Sequence, residues 1–148
     1  MHHIINQFQH LYCCLKFSTA VTGQTFLFTV RDGDEATLSC ENVMTDQDKC
    51  DGTSWLFRGS TNTAAVELID HGQIGEKAKA KSDRLSLTAD CSLVIKKVTV
   101  EDAGYFTCRQ FDRSGQQGPD SLVFLFVVIS EYLHHNVFRS NCLVRTIY

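Results

Sequence analysis

The run Glu101-Asp102-Ala103-Gly104-Tyr105-Phe106-Thr107-Cys108 constrains this chain more than any other stretch. An acidic turn passes through a glycine into a β-prone segment. Its alternation sends Phe106 and Cys108 to one face and Tyr105 and Thr107 to the other. A second alternating run, Glu35 to Cys40, gathers Ala36, Leu38 and Cys40 on one face. Between the two runs lies the one tryptophan of the chain, Trp55, inside Ser54-Trp55-Leu56-Phe57. Helical periodicity is absent, and short β-rich runs alternate with glycine and Asx turns, so the chain reads as all-β. Strands are expected over 25–30, 35–40, 54–58, 64–69, 83–88, 92–98, 105–111 and 122–129.

A chain of 148 residues suits one domain. Its 14 basic and 17 acidic side chains attract neither nucleic acid nor an anionic membrane. Lys77, Lys79 and Lys81 alternate with Ala78 and Ala80 and read as a solvated strand edge or loop. Of seven cysteines, Cys40, Cys50, Cys91 and Cys108 are widely spaced and form no C-x-x-C pair. Disulfides in an oxidising, extracellular compartment are the reading that spacing supports. Cys13, Cys14 and Cys142 fall in the flanks and receive no role. Residues 1–23 read as a leader-like or disordered segment: they lack a basic start, and Lys16 interrupts the apolar run Leu11 to Leu15. No run of 18 apolar residues is present, so no membrane span is expected, and Leu122 to Ile129 reads as a buried strand. Residues 130–148 fit no further strand and read as an irregular tail.

Cysteine, tryptophan and cysteine at 40, 55 and 108, with Asp102 and Gly104 before the second cysteine, resemble the immunoglobulin superfamily, variable-like set, over residues 24–129. The pattern is similar to leukocyte and cell-surface receptor ectodomains of the bony-fish type. The resemblance implies a two-sheet Greek-key sandwich of variable type, since more chain lies between Trp55 and Arg84 than a constant-type domain requires. It implies a Cys40–Cys108 bridge between the sheets, with Trp55, Leu38, Leu93 and Phe106 in the core. It implies a corner pair between Arg84 and Asp102, which as a surface pair contributes about 0–1 kcal/mol. It also brings the loops of Cys50 and Cys91 to one end of the sandwich. A second bridge there is favoured over two free thiols or a metal site shared with His71. Two departures stand out. The family pattern Asp-x-Gly-x-Tyr-x-Cys has Phe106 in the tyrosine's place, which puts the tyrosine-corner hydrogen bond in doubt. Gly118 is followed by Pro119-Asp120 rather than a Gly-x-Gly bulge, which disfavours pairing with a second variable domain.

The function implied is recognition of a protein ligand or counter-receptor through tip loops or a sheet face. Asp48, Asp51, Arg113 and Gln116 are the loop candidates. Asp46, Asp48 and Asp51 lack the glycine and closing glutamate of a calcium loop, so neither metal nor cofactor is expected. No catalytic fingerprint occurs. Ser54, Asp70 and His71 make no triad, because Asp70 and His71 are strand neighbours expected to face opposite ways. The other readings are a structural or adhesive immunoglobulin repeat with no dedicated ligand, and a fragment of a longer receptor carrying additional immunoglobulin domains.

Overall fold

The computed structural model describes residues 25–61 and 64–129. The leader-like segment, the C-terminal tail and Cys13, Cys14 and Cys142 lie outside the described residues. Among those described, nine strands form two sheets. The larger runs in the order β1 (Thr25–Arg31), β9 (Ser121–Val128), β8 (Gly104–Gln110), β3 (Thr53–Gly59), β4 (Val66–Asp70) and β5 (Gln73–Ile74). The smaller runs β2 (Ala36–Leu38), β7 (Leu93–Ile95), β6 (Leu85–Leu87). β1 lies parallel to β9, and every other pairing is antiparallel. The expected all-β sandwich is therefore present.

Period-two patterning explains how the sheets face each other. In β8, Gly104, Phe106, Cys108 and Gln110 point inward, and their β9 neighbours Leu125, Val123 and Ser121 sit on the same face. β3 places Trp55 beside Cys108 and Phe57 beside Phe106. The smaller sheet answers with Leu38 opposite Leu93 and Ala36 opposite Ile95. Trp55, Leu38, Leu93, Phe106 and Cys108 are buried in one cluster, each large side chain stabilising by roughly 1.5–3 kcal/mol. Phe106 packs against Phe57 with tilted rings and centroids 4.7 Å apart, so an apolar contact occupies the place where the family pattern has a tyrosine.

The structure corrects three local readings. The Lys77–Lys81 stretch is neither strand edge nor loop but lies in a 3-10 helix, Glu76–Lys81. Alternating lysine and alanine mimics a strand, yet three residues per turn bury Ala78 and leave Ala80 in solvent. The segment after Asp70, which falls between the expected strands 64–69 and 83–88, is a tight hairpin in which β5 returns along β4. His71 and Gly72 both have positive φ, 46° and 83°, as the two-residue mirror-image turn requires. The smaller sheet's strands are also shorter than the sequence runs suggest. Cys40 lies beyond the end of β2, while Lys97 with φ 49° turns the chain shortly after β7.

Candidate binding site at the loop tip

Two disulfides frame one end of the sandwich. Cys40–Cys108 joins the segment just after β2 to β8 of the larger sheet, and Cys50–Cys91 joins the loop before β3 to the turn before β7, each with Cα atoms 5.6 Å apart. Cys50 and Cys91 both occupy left-handed backbone, φ 60° and 65°. This conformation is unfavourable for a side-chain-bearing residue, and backbone bonds hold it on both sides: Thr53 N–H to Cys50 O and Cys91 N–H to Thr88 O. The indole N–H of Trp55 donates to Cys91 O at 3.0 Å, tying the second bridge to the core.

Above the inter-sheet bridge sits a glutamine pair that the sequence reading passed over. Gln110 is fully buried, and its amide nitrogen donates to Thr53 Oγ1 at 2.8 Å. Its amide oxygen accepts from Gln47 Nε2 at 2.9 Å and from the Met44 backbone N–H at 3.1 Å. Gln47 Oε1 in turn accepts from Thr53 Oγ1 and Gly52 N–H. The long loop 41–52 is thereby fastened to the ends of β3 and β8. The signal available in the sequence was the period: Gln110 continues the inward series Phe106, Cys108.

On this platform three segments enclose a cleft of about 360 Å³, lined by Asp46, Asp51, His71, Phe111, Asp112 and Arg113, with glycines between. The Phe111 N–H donates to Gly52 O at 2.8 Å, and a Cβ on Gly52 would lie 2.7 Å from Phe111 O, so only glycine permits this approach. The His71 and Phe111 rings stack with centroids 4.7 Å apart. Arg113 reaches across to loop 41–52, donating to Asp46 O at 2.6 Å with its Nε 3.4 Å from the Asp46 carboxylate. Of the four loop candidates, Asp51 and Arg113 line the cleft. Asp48 and Gln116 are exposed outside it and serve loop geometry: the Asp48 N–H donates to Asp51 Oδ1, and the Gln116 N–H to Asp112 Oδ1. Bonds from the Ser114 hydroxyl and the Gln116 N–H hold the Asp112 carboxyl below the usual carboxylate range.

His71 and Asp70 do not face opposite ways, contrary to the sequence reading. The left-handed turn after β4 brings His71 Nδ1 to 2.7 Å from Asp70 Oδ1. Ser54 Oγ accepts the backbone N–H of His71 at 3.0 Å and is buried. The hydroxyl thus pins the hairpin turn.

Arg84 and Asp102 meet in a bidentate pair, Nη1–Oδ2 3.0 Å and Nη2–Oδ1 3.2 Å. The pair is not on the surface as expected, for its side chains are 20% and 7% exposed. Asp102 also accepts the Thr99 N–H at 2.8 Å in a capping box on the short helix Val100–Asp102. Its hydrogen bond is the main cause holding the Arg84 guanidinium's pKa above its ordinary value. On the outward face of the larger sheet, Tyr105 meets Phe124 edge to face at 4.6 Å, Phe126 packs on Phe124, and the Arg58 guanidinium lies 5.2 Å from the Tyr105 ring centroid.

Among the described residues no group of three or more histidine, cysteine or acidic side chains is placed to hold a metal, and no helix is long and apolar enough to cross a membrane. A family model, the immunoglobulin V-set domain, matches residues 23–126. Comparison with curated proteins finds no match.

Proposed function

The chain belongs to the immunoglobulin V-set family, and from that membership we propose that it is an extracellular recognition domain whose tip loops bind a protein ligand or counter-receptor on a cell surface. Family membership supports a binding role in general. The observation that carries the finer reading is the fastening of the tip. The second disulfide, the buried Gln110–Gln47 network and the Arg113–Asp46 contact hold three loop segments around one cleft. Loops ordered before encounter lose less entropy on binding, which favours affinity at a given contact area. Two disulfides support an oxidising location.

An adhesive role is favoured by a different observation, the aromatic outward face carrying Tyr105, Phe124 and Phe126. One experiment separates the two. The full chain, fused to an antibody Fc region, is screened against a panel of cell-surface ectodomains. Binding lost on Gly52→Ala and retained on Tyr105→Ala supports the tip. The reverse, or self-association alone, overturns it.

A further inference from the structure

The acidic excess of this protein sits at the tip. Segments 41–52, 70–72 and 111–118 hold six carboxylates against one lysine and one arginine, while the whole chain has 17 acidic and 14 basic side chains. The local cations do not cancel that charge inside the cleft. Arg113 is bound to Asp46, and Lys49 lines a neighbouring cleft beside Ile74 and Leu87. His71 Nδ1 is held by Asp70. Asp51 and Asp112 remain on the cleft wall. Each uses Oδ1 to accept loop N–H groups, from Asp48 in the case of Asp51 and from Ser114 and Gln116 in the case of Asp112. Beside them the stacked Phe111 and His71 rings offer a flat apolar surface.

We propose that this cleft receives a cationic side chain, above all an arginine, presented by the protein partner. The inference rests on the tip-loop reading and specifies its chemistry. A guanidinium is flat and weakly hydrated, so it can lie on the Phe111–His71 pair while directing its N–H groups at the carboxylates of Asp51 and Asp112. A carboxylate or phosphate would meet the like charge of Asp51 and Asp112. Concave acidic walls concentrate the field and steer a basic patch toward the cleft during encounter.

The test uses the full ¹⁵N-labelled chain titrated with N-acetyl-arginine amide, and in parallel with N-acetyl-citrulline amide, which keeps the shape and loses the charge. The expected result is saturable amide shifts confined to the neighbourhood of Gly52, His71, Phe111 and Gly115, absent with the citrulline probe. The double variant Asp51→Asn, Asp112→Asn keeps both loop-facing acceptors. It should weaken binding about threefold to tenfold, as should raising NaCl to about 0.5 M. Unchanged shifts elsewhere in its spectrum verify its fold. No saturable shift, equal response to both probes, or unaltered binding by the double variant overturns the proposal. A partner found in the ectodomain screen alongside a charge-blind cleft overturns this inference alone and leaves the recognition reading standing.

Discussion

The Trp55 indole N–H and the Cys91 carbonyl oxygen are joined at 3.0 Å, so the ring that neighbours Cys108 across the sheet also carries the second disulfide. Trp55→Phe keeps an aromatic ring but removes the donor, leaving a buried carbonyl unpaired and a partly empty site. Stability should fall by about 2–4 kcal/mol, read as a lower urea midpoint. A shift equivalent to less than about 0.5 kcal/mol would show that the contact adds nothing net.

The second bridge should matter for order at the tip more than for the fold. Cys50–Cys91 spans 41 residues, which in the chain-entropy model corresponds to about 4 kcal/mol. The double variant Cys50→Ala, Cys91→Ala should keep its strand content, because Cys40–Cys108 still joins the sheets. Hydrogen exchange should accelerate in 41–52 while β8 and β9 stay protected. Equal acceleration in both regions would contradict a local role.

How much of this was legible beforehand depends on whether a residue's environment is set by its own strand. Phe106, Cys108, Leu38 and Trp55 advertise their burial through alternation and β-propensity, and the structure buries all of them. The lysine-rich segment misleads because a 3-10 turn and a strand edge can carry the same polar-apolar alternation over five residues. His71 misleads because its direction is set by φ 46°, which a strand period does not encode. The cleft was legible only as loop positions. Its depth comes from Gly52 touching Phe111 and from Arg113 crossing to Asp46, contacts between segments roughly 60 residues apart.

The Arg84–Asp102 pair gives a prediction on charge. Arg84→Met strips the cation from a carboxylate that is 7% exposed and leaves the Lys96 and Lys97 carbonyls without their donor. A loss of about 3–5 kcal/mol is expected in chemical denaturation, with Arg84→Lys intermediate because it keeps the charge without the fork. Since the folded guanidinium is held above its ordinary pKa, its contribution is complete below the unfolded value and is lost only as pH rises through the folded one. The difference between wild type and Arg84→Met should therefore stay flat from about pH 6 to 10.

At the tip, acid should loosen the hairpin late. The Asp112 carboxyl is held low by the Ser114 hydroxyl and the Gln116 N–H, so the order it provides is present above the unfolded pKa and disappears as pH falls through the lower folded value. Amide shifts of Ser114 and Gln116 should be constant from pH 7 to about 4 and move below that. In Asp112→Asn they should lose this step. Movement beginning near pH 6 would assign the change to another group.

Gln110 offers the sharpest separation between packing and polar satisfaction. Gln110→Leu nearly preserves volume and adds apolar surface, so packing alone predicts a neutral or stabilised protein. The hydrogen bonds predict the opposite, because Thr53 Oγ1, the Met44 N–H and Gln47 Nε2 each lose a buried or half-buried partner, at about 1–3 kcal/mol for each group left unsatisfied. Gln47 can partly compensate through Thr53 and the Met44 carbonyl, which caps the expected loss near the lower half of that sum. Two readouts are needed, the denaturation midpoint and amide exchange at Gly52 and Phe111. Destabilisation with faster exchange at both positions would establish the glutamine pair as the clasp that holds loop 41–52 against β8. A stabilised variant with a tip spectrum like that of the wild type would mean that the disulfide at Cys50 is sufficient to order the loop.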